Sequence, residues 1–138
     1  MLTLAKKKIL IQKTGKRKKA VAKAVAKPGN GEVKINNKSL EIFEPEMLRL
    51  FIKEPLIIAG NVKDLDIDVS VKGGGIFGQA SAARQAIAKT LVENNKSLKE
   101  VFQNYDRTLL VADARRTEPH HPGASKRGSR RHKQRSKR

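Results

Sequence analysis

The chain has 138 residues, no cysteine, and 31 Lys or Arg against 13 Asp or Glu, a formal charge of +18. That length suits one domain. The missing cysteine excludes disulfides and thiolate metal sites, and no apolar run approaches a membrane span or a signal-peptide core. The charge lies in three blocks: ten bases and no acid over Met1–Lys27, eleven bases and twelve acids over Pro28–Asp113, and ten bases with one acid over Ala114–Arg138. A nearly neutral core with a cationic extension at each end implies a densely anionic partner, because so high a charge repels itself unless neutralised. Nucleic acid fits that role, and the tails lack the apolar face that membrane docking needs. The blocks predict an N-terminal extension at 1–13, a core at 14–113 and an extended tail at 114–138. The tail's only aliphatic side chains, Ala114 and Ala124, bury too little surface to offset ordering entropy.

In chain order, residues 20–27 alternate, with Val21, Lys23, Val25 and Lys27 on one face and four alanines on the other. This is strand period, and the alanine face predicts that another element packs unusually close. Pro28, Gly29, Asn30 and Gly31 form a turn signal before a second alternating run through Val33 and Ile35. Together they predict a β-hairpin from about Arg17 to Ile35. Residues 46–59 are rich in Leu, Ile, Met and Phe and predict helix, divided into two short pieces at Pro55. Residues 64–72 predict a strand, with Leu65, Ile67, Val69 and Val71 facing inward. Residues 79–93 repeat Ala80, Ala83, Ile87 and Leu91 at helical spacing. Ser97 to Glu100 has capping-box form, opening a short helix with Leu98, Val101, Phe102 and Tyr105 on one face. Residues 109–111 predict a closing strand. The fold class is therefore α+β, a single small domain with a sheet of about four strands backed by helices on one face.

Gly73, Gly74, Gly75 and Gly78 formally satisfy a dinucleotide fingerprint between a strand and a helix. Against that, the acid-bearing second strand is absent and the domain is too small for a doubly wound sheet. Gln79 and Ala80 also stand where a phosphate-binding loop needs Lys and Ser/Thr. The four are read as structural glycines of a close-packed turn. All three histidines, His120, His121 and His132, lie in the tail, so the core offers no imidazole for a catalytic triad. Adjacent histidines without carboxylate support make a poor metal site. Asp64, Asp66 and Asp68 lack calcium-loop spacing and read as the solvent face of a strand. No catalytic residue, cofactor or metal is expected, and the chain is not read as an enzyme.

Several motifs occur in one order: Thr14-Gly15-Lys16-Arg17-Lys18-Lys19-Ala20, then the Pro28–Gly31 turn and Val33 to Asn36. Gly73 to Gly75 with Gly78-Gln79-Ala80 and Ala83-Arg84 follow, then Asp113-Ala114-Arg115, Glu118 and a terminal Ser136-Lys137-Arg138. This series resembles the universal small-subunit ribosomal protein nine family. Glu54-Pro55-Leu56 and Arg116-Thr117-Glu118-Pro119 resemble its archaeal and eukaryotic branch. The resemblance implies a fold of the ribosomal S-five second-domain type with a left-handed βαβ crossover, where sequence reasoning alone favours the right-handed one. It implies a cytoplasmic structural constituent of the ribosome with neighbouring head proteins, present in one copy and not as a homo-oligomer.

The resemblance further implies binding to rRNA of the small-subunit head. The rRNA-binding residues would be Lys16, Arg17, Lys18, Lys19, Arg84, Arg115, Arg116, Lys126, Arg127, Arg130, Arg131, Lys133 and Arg135. The tail tip Ser136, Lys137 and Arg138 would contact the anticodon stem-loop of the P-site tRNA. Arg135 and Lys137 stand where many members carry an aromatic beside the terminal residues, so phosphate contact in place of aromatic stacking is what the resemblance implies for the tip. With five aromatics in the whole chain, recognition of RNA shape and phosphate is expected, with little base readout. Two other readings compete: a general RNA chaperone or chromatin protein, and a nucleotide-binding protein using Gly73–Gly78.

Overall fold

A computed structural model describes residues 10–60 and 62–119. Five strands make one mixed sheet: β1 (Ile11–Arg17), β2 (Ala20–Pro28), β3 (Val33–Ile35), β4 (Lys38–Ser39) and β5 (Leu65–Lys72), in spatial order β1-β2-β5-β3-β4. Three helices accompany it, α1 (Glu46–Ala59), α2 (Ile76–Asn94) and α3 (Leu98–Tyr105), with single 3-10 turns at Leu40–Ile42 and Arg107–Leu109. The α+β class is as expected, and the two-residue β4 takes the sheet to five strands. β3 and β5 are parallel neighbours, so the intervening segment with α1 forms a βαβ crossover.

The alternation in β2 determines where the core lies. Ala20, Ala22, Ala24 and Ala26 are fully buried, and Ala22, Ala24 and Ala26 pair in register with Val71, Val69 and Ile67 of β5. Methyl-sized side chains let α2 lie close across β1 and β2, and the closest point is Gly15 of β1. A Cβ there would overlap the carbonyl oxygen of Ala82 and come within 2.7 Å of the Ala86 nitrogen. The close-packed partner predicted from the alanine face is therefore α2. The opposite face of the sheet is open, and Val21 there remains 42% exposed.

The expected hairpin from Arg17 to Ile35 does not form. β5 inserts between β2 and β3, pairing antiparallel with one and parallel with the other. The Pro28–Gly31 turn is instead held by Asp66, whose Oδ1 accepts the backbone N–H groups of Asn30 (2.8 Å), Gly31 (3.0 Å) and Glu32 (3.0 Å). The Glu32 and Asn30 amides hold its carboxyl below the usual range, against the opposing effect of burial. Asp66 therefore works inside the fold and is more than a solvent-facing residue of β5. The actual hairpins are β1–β2, turning at Lys18 and Lys19, and β3–β4, turning at Asn36 and Asn37. Both asparagines have positive φ, 48° and 66°, which suits a two-residue turn that follows sheet twist. Asn36 also extends the parallel ladder with its side chain, since Oδ1 accepts from Val71 N at 2.8 Å and Nδ2 donates to Val71 O at 3.3 Å.

Three local expectations also need correction. α1 is one continuous helix: Pro55 is fully buried, and its packing outweighs the backbone bond that its ring removes. No strand forms at 109–111: Leu109 ends the 3-10 turn Arg107–Leu109, which Asp106 opens by accepting the Thr108 N–H at 2.8 Å, and the Leu109 side chain inserts into the core. Ser97 does not cap α3. Its own backbone is helical, and both its N–H and its hydroxyl donate to Asn95 Oδ1. Of the apolar face expected on α3, only Phe102 is fully buried, whereas Val101 and Tyr105 are exposed.

Candidate nucleic-acid interface

The β1–β2 turn is the most basic segment of the described chain, and the fold surrounds it with further positive groups. Lys16, Lys18 and Lys19 are exposed there. On the open sheet face Lys16 sits in register with Val21, which is in register with Lys72, so two lysines flank one valine across three strands. Lys23 occupies the next row, between Thr14 and Ser70. On the other side of β1, Lys89 of α2 donates to the Thr14 carbonyl at 3.0 Å. Burial is the larger cause of its lowered pKa, and the positive charges of Lys13 and Lys16 add to it. Lys89 is absent from the residues expected from sequence, since only the crossing of α2 over β1 brings it there.

The glycine cluster abuts the same turn. Gly73 and Gly74 have φ of +76° and +66°, and a Cβ on them would lie 2.7 Å from Lys19 O and 3.0 Å from Ala20 N. They are structural glycines in the strict sense. Gly75 has nothing within 4 Å of a built Cβ, and Gly78 meets Ala20 only at 3.5 Å, an ordinary contact. Gly75 forms the N-cap of α2 without a side-chain cap, so the first N–H groups of a 19-residue helix open beside the lysine turn and add partial positive charge. Gln79 and Ala80 follow Gly78 where a phosphate-binding loop needs Lys and Ser/Thr, which fits a packed turn.

The root of the C-terminal segment is bound to this same end of the sheet. Asp113 Oδ2 pairs with Arg17 Nη1 at 2.7 Å and with Arg115 Nη2 at 2.6 Å, and Asp113 Oδ1 accepts the Arg115 N–H at 3.0 Å. The Arg115 guanidinium and its backbone N–H hold the Asp113 carboxyl well below the usual carboxylate range. Arg116 donates to the Lys18 carbonyl at 3.4 Å. Asp113 thus anchors the outgoing chain while leaving the Arg115 side chain 80% exposed. Lys16 and Arg17 of β1, Ser81, Arg84 and Gln85 of α2, and Arg115 of this strap line a cavity of about 190 Å³.

Arg84, expected on the interface, is an interior side chain at 5% exposure. Its Nη2 pairs with Glu54 of α1 at 2.5 Å and with Asp106 at 3.0 Å, and its guanidinium carbon lies 4.5 Å above the Phe51 ring. Burial works against the charge on Asp106, yet hydrogen bonds from Thr108 and Arg84 keep its pKa lowered. Of the remaining expected residues, Lys16, Arg17, Lys18, Lys19, Arg115 and Arg116 are gathered at one end of the sheet. Lys126, Arg127, Arg130, Arg131, Lys133, Arg135, Ser136, Lys137 and Arg138 lie outside the described residues, as do the three histidines.

The model of the family described as ribosomal protein S9/S16 matches residues 15–138. The chain belongs to this family. It is 48% identical over 130 residues to the small ribosomal subunit protein uS9 of Methanococcus maripaludis strain C5, covering 92% of this chain and 97% of that one. The uS9 protein of Methanococcus vannielii is 47% identical over the same span, with the same coverage. These archaeal relatives agree with the branch suggested by the Glu54-Pro55-Leu56 and Arg116–Pro119 motifs. Family membership makes the chain a structural protein of the small ribosomal subunit.

Proposed function

We propose that this protein binds rRNA of the small-subunit head through phosphate and shape recognition, and that its tail reaches the P-site tRNA. The observation that carries the reading is the Asp113 anchor. By tying Arg115 and Arg116 to the Arg17–Lys18 turn, it makes the turn, the α2 N-terminus and the root of the basic tail one continuous cationic surface. A folded core delivers that surface at fixed geometry.

 Beyond Pro119 eight further Lys or Arg follow: Lys126, Arg127, Arg130, Arg131, Lys133, Arg135, Lys137 and Arg138. Arginine predominates among them, and its planar fork suits phosphate oxygens.

Titration of isolated head rRNA with salt tests the phosphate reading. If roughly ten tail cations each meet a phosphate, log K falls against log salt with a slope near about −7, using the single-strand coefficient. A slope shallower than about −2 would remove the tail as the main contact. The P-site reading rests on the terminal Ser136-Lys137-Arg138 and has its own test. Deleting those three residues is expected to leave subunit assembly intact and to speed tRNA release from the P site. Unchanged tRNA retention by truncated subunits would sink it.

A further inference from the structure

The outer side of α1 and α3 has the opposite character from the basic end of the sheet. Met47, Leu50 and Ile57 are 73%, 54% and 70% exposed, although they lie within a regular helix. At about 100° per residue, Met47, Leu50, Glu54 and Ile57 fall within roughly 80° of arc. That stripe faces away from Leu48, Ile52 and Pro55, the buried side of α1. Tyr105 of α3 donates its hydroxyl to Glu54 in the middle of the stripe. Val101, one turn earlier on α3, is also exposed, so the apolar surface continues from one helix onto the other.

Its charge is as unusual for this chain. Residues 40–59 and 98–106 contain six acids, Glu41, Glu44, Glu46, Glu54, Glu100 and Asp106, against three bases, Arg49, Lys53 and Lys99. Four of the acids are ion-paired, Glu46 with Arg49 at 3.4 Å, Glu41 with Lys53 at 2.6 Å, and Glu54 and Asp106 with Arg84 of α2, so Glu44 and Glu100 carry the acidic rim among the described residues. A net-acidic apolar surface on a chain of +18 offers RNA phosphates little to bind. A second copy of the chain would bring like charges together around the same stripe, which disfavours self-association.

We propose that this face docks a basic amphipathic segment of a neighbouring small-subunit protein. Apolar side chains of the partner would cover Met47, Leu50, Ile57 and Val101, and its Lys or Arg would meet the acidic rim. The inference rests on the ribosomal reading and assigns protein contact and RNA contact to different faces of one small domain. Exposed large apolar patches with polar rims commonly mark such contacts.

The double variant M47E/L50E tests it in the full chain. Both side chains are exposed, so the free protein should unfold at the parent temperature and keep its affinity for isolated head rRNA within about twofold. Retention of the tagged variant in small subunits through a salt wash should fall about tenfold or more. A benzophenone side chain placed at Leu50 in assembled subunits should crosslink to a Lys/Arg-rich peptide of another subunit protein. Parent-like retention of M47E/L50E, or crosslinks to rRNA or to a second copy, would overturn the proposal. A parent chain that fails to sediment with small subunits would instead sink the ribosomal reading, and this inference with it.

Discussion

Replacing Gly15 with valine should abolish the native fold or lower its stability by about 3–5 kcal/mol, a large share of what a small domain has. The reason is space. A Cβ at this position overlaps Ala82 O and lies 2.7 Å from Ala86 N, both backbone atoms of α2. Backbone in the middle of a 19-residue helix cannot swing aside as a side-chain end can. Relief requires lifting α2 from β1 and β2, which would open the contact with the buried alanine row. Gly15→Ala should destabilise in the same direction by less. Gly75→Ala is the control: nothing lies within 4 Å of its Cβ, so only the weaker N-cap preference of Ala acts and its effect should stay within about 1 kcal/mol. Urea unfolding of the three variants and the parent would check this. Parent-like stability of Gly15→Val would mean that the helix does not lie this close.

The alanine row and the Leu65–Val71 alternation were legible because each is a local period that matches what the sheet buries. The close partner was legible for the same reason: four alanines on one face leave room only for a near neighbour. Strand order was not. Pro28–Gly31 has hairpin chemistry, yet the strands beside it are separated by β5, and the residue that holds the turn, Asp66, lies about 35 positions away in sequence. Pro55 misled for a similar reason, since a local rule against proline in helices yields to full burial of its ring. At the interface, the basic turn and the root of the tail could be read as charge, but the anchor between Arg17 and Asp113 needs the folded core. Lys89 joins them only because α2 crosses β1 near Thr14.

Arg84 shows how a correct motif can carry a different role, and its substitution has the second large expected effect. It follows the glycine cluster in the series that identified the family, which suggested a phosphate ligand. The structure places it between Glu54 and Asp106 and above Phe51, linking α2 to α1 and to the turn that begins the C-terminal strap. Arg84→Met would keep most of the volume and leave two carboxylates without their shared cation. Removing one partner of a buried ion pair costs about 3–5 kcal/mol. Glu54 and Asp106 are partly accessible, with side chains 26% and 33% exposed, so solvent should reduce the loss to about 2–4 kcal/mol. For a domain of this size that corresponds to a drop of roughly 10–25 °C in Tm. Adding E54Q and D106N should recover part of it, because neutral amides no longer need the guanidinium. Below the new Tm, Arg84→Met should bind head rRNA within about twofold of the parent, whereas neutralising Lys18 and Lys19 together should weaken binding and flatten the salt slope by about 1–2. The opposite pattern, an unchanged Tm with weakened RNA binding, would return Arg84 to the interface and show that its contacts with Glu54 and Asp106 are not what hold the helices together.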